Sequence, residues 1–227
     1  VLMHLSELVT EFVRTVYQKK HGESGDELEE IRGGLLPYGS YYLGVATTSS
    51  DIDCICLVPH FVTRRHFFTI LYEVLKSHSS VTDLDKIEQA ISPILTFKFA
   101  GIEIDLSCSI LDVPTIPLNA TQLPIDDDHI LDNVDEQTVI SLNGRRTNNM
   151  ILALVKDHRE GFRTLLRFLR IWAKKRGLTG NVFGYLGGVN MAIMSVWICQ
   201  RYPNATAAVL LQKFFSDFAS WEWPNPI

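Results

Sequence analysis

The sequence predicts an α+β protein: a small mixed sheet with helices, followed by a separate helical unit. Two patterns carry that expectation. Apolar runs with strand character, Ile52 to Val58, Ile91 to Phe99 and Ile102 to Ser109, all fall in the first half of the chain. Past the Pro-containing connector from Asp112 to Pro124, apolar residues recur with helical spacing instead. At 227 residues, 46% hydrophobic and 10% aromatic, the chain can bury one large core or two modest ones, which excludes a disordered or fibrous protein.

The elements follow in order. Leu5, Leu8, Val9, Phe12, Val13 and Val16 keep helical spacing and predict an opening amphipathic helix. Lys19 to Arg32 is polar and reads as a loop. Leu35-Leu36-Pro37-Tyr38 leads into Gly39-Ser40, then a short helix around Tyr41 to Val45 and the strand at Ile52 to Val58. Thr63 is placed to cap a helix from Arg64 to about Ser77. Ala100-Gly101 joins the next two strands as a hairpin. Helices are expected over Glu136 to Gly144, Asn148 to Val155, Gly161 to Arg176, Gly187 to Gln200 and Ala205 to Trp221.

The formal net charge of −5 argues against a simple basic nucleic-acid glove, although a local cleft rather than the sum decides such binding. Cys54, Cys56, Cys108 and Cys199 all sit in apolar contexts without metal or redox spacing, so free thiols in a reducing intracellular compartment are expected. No apolar run is long enough for a membrane helix.

The chemistry concentrates in three aspartates. Asp51 and Asp53 are two residues apart at the start of a strand and project to one face, and Asp105 lies within the apolar Gly-Ile-Glu-Ile-Asp-Leu-Ser-Cys run. Three carboxylates in such a setting need a cation or a proton to neutralise them. An all-oxygen site suits a hard divalent ion, and a pair of ions suits in-line attack on a phosphate. Glu103 shares a strand face with Asp105 and competes for the third position; the more continuous apolar run favours Asp105. Gly39-Ser40, ten residues upstream of the aspartates, is a phosphate-binding arrangement in miniature.

Arg163, Arg167, Arg170 and Lys174 fall on one helical face, opposite Leu165, Leu166, Phe168, Leu169, Ile171 and Trp172. They read either as an ordinary solvated face or as cations of which one or two reach a triphosphate. Phe183-Gly184-Tyr185-Leu186-Gly187-Gly188-Val189 either brings backbone close to a nucleotide or makes a tight turn between helices.

Tyr38-Gly39-Ser40-Tyr41-Tyr42-Leu43-Gly44-Val45 followed by Asp51-Ile52-Asp53 resembles the signature of the polymerase-beta-like nucleotidyltransferases. Ser141-Leu142-Asn143-Gly144, Ile171-Trp172-Ala173-Lys174, Gly187-Gly188-Val189 and Trp221-Glu222-Trp223-Pro224-Asn225-Pro226 narrow the resemblance to eukaryotic poly(A) polymerases, from about Leu5 onward. The resemblance implies template-independent transfer of AMP from ATP to an RNA 3′ hydroxyl, with two magnesium ions, manganese serving in vitro. It implies that Asp51, Asp53 and Asp105 are the catalytic metal ligands. Tyr38, Gly39, Ser40, Asn143, Asn181, Gly188 and Val189 would bind the nucleotide: Gly39-Ser40 at the triphosphate, Asn143 near sugar and phosphates, Asn181 near the adenine and Val189 on the base. Three departures bear on that set. Thr96 stands where the family usually has Lys, with Lys98 on the same side as a substitute; Arg170 replaces a triphosphate Lys; Thr179 replaces a nucleotide-contacting Tyr.

The resemblance further implies a catalytic domain over 35–113, a helical middle domain over 114–227 that packs with residues 1–34, and a C-terminal RNA-binding domain beyond the residues present. A nuclear location and other 3′-end-processing proteins as partners are likewise implied. The alternatives are a uridylyl-, CCA-adding or oligoadenylate-type transferase on the same fold, or a catalytically silent scaffold.

Overall fold

The computed structural model describes residues 1–22, 25–180 and 183–227. Two compact units emerge, one from Val1–Tyr41 with Ser49–Arg146, the other from Tyr42–Thr48 with Thr147–Ile227.

The first unit is built on a five-stranded sheet, in the order β1-β2-β5-β4-β3 among the described residues. Its strands are β1 (Gly34–Pro37), β2 (Ile52–Pro59), β3 (Val81–Ile87), β4 (Ile94–Phe99) and β5 (Ile102–Leu111). β2 and β5 run parallel at the centre and every other pairing is antiparallel. Central parallel strands are covered on both faces, which is why Ile52 to Val58 reads as a near-continuous apolar run. The β4–β5 hairpin turns through Ala100 and Gly101, both at positive φ, as a two-residue turn matched to strand twist requires.

β3 escaped the sequence reading. It is an edge strand, mostly exposed, and Val-Thr-Asp-Leu-Asp-Lys-Ile offers no full apolar face to recognise. A register shift between Thr82 and Asp85, with Asp83 at φ 53°, breaks its alternation further.

Helix α1 (Leu2–His21) runs past Lys19, and a short α2 (Gly25–Glu30) follows where a loop was expected. The predicted grouping of residues 1–34 with the segment after 114 is divided in the structure: residues 1–41 fall in one unit with 49–146, and the segment from 147 onward falls in the other. Leu5, Val9, Phe12, Val13 and Val16 of α1 join one core with Cys54, Cys56 and Val58 of β2 and Leu106 and Cys108 of β5. The physical reason is that this sheet face is apolar and needs a cover, which the stripe on α1 provides. The helical stretch after Thr63 completes that cover: α4 (Arg64–His66), a π-helical turn (Phe67–Leu71) and α5 (Tyr72–Ser77). Thr63 caps it as predicted, its hydroxyl accepting from the His66 amide while the His66 ring takes the Thr63 N–H.

The opposite sheet face carries Ile55, Leu57 and Leu111, which pack with Ile116, Ile125 and Leu142. Leu142 belongs to α6 (Glu136–Leu154), one helix where two were predicted. Its residues up to Arg146 lie in the first unit, so that unit extends beyond the predicted boundary at 113. Asp135 caps α6: its carboxylate accepts from the Thr138 N–H at 2.6 Å and pairs with Arg64, whose other nitrogen donates to the Cys108 carbonyl.

The second unit is helical, with α7 (Arg159–Arg176), α8 (Gly188–Arg201) and α9 (Ala207–Ala219). Its core joins Phe162, Leu165, Leu166 and Leu169 of α7 to Ala192 and Ile198 of α8 and Leu210 and Phe214 of α9, and takes in Leu43 and Val45 from the 42–48 segment. The four cysteines are free and buried. Among the described residues no helix is long and apolar enough to cross a membrane.

Candidate active site

Strand pairing assembles the carboxylates. In the parallel β2–β5 register Asp53 stands directly beside Asp105. Asp51 precedes the first ladder residue, Ile52, by one position. One oxygen from each of Asp51, Asp53 and Asp105 lies within 4.8 Å of the others, a cluster that could hold a metal ion. At an effective dielectric constant of about 20, two carboxylates that close repel by roughly 3 kcal/mol. Burial raises the Asp105 pKa above the ordinary carboxylate value; a hydrogen bond from Thr96 opposes it, and the charges of Asp51 and Glu103 reinforce it. Thr96 is the residue directly across from Asp105 on β4. Glu103 is exposed and lies outside the cluster.

Gly39 opens the four-residue helix α3 (Gly39–Tyr42), two residues earlier than predicted. Its φ of +64° is left-handed, and a Cβ there would sit 2.0 Å from the Asp53 Oδ2 atom. Glycine is therefore required twice over, by the backbone and by the carboxylate beside it. The Tyr38 N–H donates to the Asp53 carbonyl at 2.9 Å. Burial and the neighbouring Asp53 charge push the Tyr38 phenol up to about 12, against a hydrogen bond with Ser107, so it stays protonated. Its ring lies so close to Gly144 on α6 that a Cβ there would meet ring carbons at 2.7 Å. The buried Arg145 holds the same turn, donating to the Pro37 carbonyl at 2.7 Å. The Ser40 hydroxyl is buried and has no hydrogen-bond partner among the described residues.

The predicted residues thus divide. Tyr38, Gly39, Ser40, Asp51, Asp53 and Asp105 gather around one end of the sheet. Asn143 is exposed on α6, next to the glycine that supports Tyr38. The Lys98 ammonium pairs with Asp83 at 2.8 Å, and Thr96 stands directly across from Asp105. Arg170 is likewise engaged, donating to the Val45 carbonyl at 3.2 Å. Thr179 is exposed, and Gly188 and Val189 are exposed at the start of α8, all in the second unit. Asn181 lies outside the described residues.

Sequence reasoning did not find Thr96 as a partner of Asp105, the Tyr38–Gly144 contact or the Arg145 anchor. Cross-strand register and close approach decide all three, and neither leaves a local signal.

A mixed sheet with a glycine-serine turn and three clustered aspartates at one end defines the nucleotidyltransferase class. Comparison with known proteins agrees. The family description "Poly(A) polymerase nucleotidyltransferase domain" matches residues 1–155, and "Poly(A) polymerase central domain" matches residues 161–227. Poly(A) polymerase PAPa of Candida albicans is 40% identical across the whole chain, which covers 40% of that relative. Nuclear poly(A) polymerase 4 of Arabidopsis thaliana is also 40% identical across the whole chain, which covers 30% of it. The apo form of mtPAP superposes with a TM-score of 0.64 over 96% of this chain and 51% of that one; at 15% identity it supports the fold. The chain belongs to the poly(A) polymerase family and spans less than half the length of these two curated relatives.

Proposed function

We propose that this protein adds AMP from ATP to the 3′ hydroxyl of RNA without a template, releasing pyrophosphate. The observation that carries the reading is the Asp51, Asp53 and Asp105 cluster, in a chain matched along its length by poly(A) polymerase domains. The donor set is all carboxylate oxygen, which fits a hard divalent cation. Asp51, Asp53 and Asp105 would hold two such ions, magnesium in the cell or manganese in vitro, whose chemistry is to ease ionisation of the attacking hydroxyl and to neutralise the leaving pyrophosphate.

The chain's own residues bind and orient. The unpartnered Ser40 hydroxyl and the backbone at Gly39 fit a phosphate acceptor. Tyr38, protonated and braced on Gly144, keeps the turn seated against Asp53. Asn143, Thr179, Gly188 and Val189, together with Asn181, are the remaining nucleotide contacts in this reading. Lys98 and Arg170 belong to the same reading: Lys98 spends one donor on Asp83 and Arg170 one on the Val45 carbonyl, and each group carries further donors. The relative named as nuclear and the family resemblance support a nuclear location and association with other 3′-end-processing proteins.

The test is incubation of the full-length protein with an RNA primer and each nucleoside triphosphate in turn. AMP addition that is metal-dependent and lost in Asp53→Ala is expected. A strong preference for UTP, or incorporation that survives Asp53→Ala, overturns the proposal.

A further inference from the structure

One rung of the sheet carries two of the clustered carboxylates. Strand pairing sets Asp53 of β2 beside Asp105 of β5, Asp105 beside Thr96 of β4, and Thr96 beside Asp85 of β3. Residues in register on neighbouring strands project to one face, so Asp105 stands between a carboxylate on one side and a hydroxyl on the other. Asp53, Asp105 and Thr96 are half-buried, whereas Asp85 is exposed on the edge strand.

The two carboxylates are held differently. Register fixes their backbones, but each side chain can still turn about its own bonds. Gly39 limits Asp53, since a Cβ on that glycine would come 2.0 Å from Oδ2. The constraint on Asp105 is chemical: the Thr96 hydroxyl donates a hydrogen bond to its carboxylate. In the strand order β2-β5-β4, Thr96 lies on the side of Asp105 away from Asp53. The charges of Asp51 and Glu103 also act on Asp105 and repel it.

We propose that Thr96 is a positioning residue for Asp105: its hydroxyl takes one carboxylate oxygen and leaves the other turned toward Asp51 and Asp53, where a divalent cation is held. The inference rests on the metal-binding role proposed above for the three aspartates and names the group that prepares one of them. Threonine suits the place because its branched Cβ restricts χ1, so the strand itself aims the hydroxyl. The hydroxyl also carries no charge, and it orients the carboxylate without competing with a cation for it. Partners that orient metal-ligating carboxylates in this way matter to affinity as well as to geometry.

Two variants of the full-length protein test the role. Thr96→Val keeps the shape and removes the hydroxyl, and Thr96→Ser keeps the hydroxyl and removes the methyl. Each is measured for Mn2+ affinity by calorimetry without nucleotide, and for the Asp105 χ1 angle by NMR scalar couplings without metal. Thr96→Val is expected to bind Mn2+ about tenfold more weakly or worse, with Asp105 averaging over rotamers. Thr96→Ser is expected to lie closer to wild type than to Thr96→Val in both. Unchanged Mn2+ binding in Thr96→Val, or a single Asp105 rotamer kept in it, overturns the proposal. So does a Thr96→Ser that behaves like Thr96→Val, since that marks packing of the methyl rather than the hydroxyl. If Thr96→Val does not fold, Thr96→Ala removes the same hydroxyl and is read by the same criteria. Neither measurement needs turnover. A wild type that binds Mn2+ but fails to add AMP would remove the proposed function while the role of Thr96 is still decided; a wild type that binds no Mn2+ overturns the metal role of the cluster, and this inference with it.

Discussion

Replacing Gly39 with alanine probes the closest approach in the site. The added Cβ would lie 2.0 Å from Asp53 Oδ2, whereas ordinary contact begins at 3.4 Å, so one of the two groups must move by more than an ångström. The φ of +64° adds a left-handed penalty of about 1–2 kcal/mol for any residue with a Cβ. Part of the conflict can be relieved by turning the Asp53 side chain, which takes a carboxylate out of the cluster with Asp51 and Asp105. A displacement of about 1 Å in a catalytic group costs on the order of 100-fold in rate. The expected result is therefore a fall in kcat of about 100-fold or more, with a loss of only about 1–2 kcal/mol in stability. For a chain of this size that corresponds to a drop in Tm of roughly 2–8 °C. Single-turnover AMP addition at saturating ATP and metal, with a thermal melt on the same preparation, reads both quantities. Activity within threefold of wild type with an unchanged melt would refute the steric reasoning.

Two further outcomes follow from the same structure. Asp105→Ala is expected to abolish turnover while Glu103→Ala keeps most of it, because only Asp105 belongs to the cluster; the reverse pattern in a primer-extension assay would exchange their roles. Asp135→Asn weakens the cap of α6 and its pairing with Arg64, and about 1 kcal/mol of stability at neutral pH is expected to go with it. Burial opposes the shift at Asp135, but hydrogen bonds from Arg64 and Thr138 prevail and hold its pKa below the ordinary value. A depressed carboxylate stabilises the fold above its unfolded pKa and loses that contribution as pH falls through the folded value. Urea melts of wild type and variant should therefore differ at pH 7 and draw together as the pH falls below the ordinary carboxylate value; a gap that stays constant into acid would count against the ionised cap.

Much of the site was legible because its signals are local. Gly39-Ser40 and Asp51-x-Asp53 lie close together in the chain, and the alternation of a strand puts both aspartates on one face. Asp105 could be chosen over Glu103 from the apolar run around it, and the β2–β5 register agrees. The basic face of α7 was visible as a periodicity, but its use was not. Arginines aimed at a backbone and arginines aimed at a phosphate have the same spacing, and only the position of residues 43–45 separates them. Lys98 posed the same problem, since its partner Asp83 sits on an edge strand that carries no clear apolar pattern.

The sequence by itself determined the α+β class, the central strands, the Thr63 cap, the helices after Pro124 and the carboxylate triad. Each of these follows from interactions between residues a few positions apart, or from strands apolar enough to demand burial. Tertiary structure alone decided the rest: α1 covers the sheet, Thr96 rather than Lys98 meets Asp105, and the α7 arginines hold the 43–45 backbone. Those outcomes depend on which faces meet and in what register, and residues 120 or more positions apart leave no trace of that in their spacing.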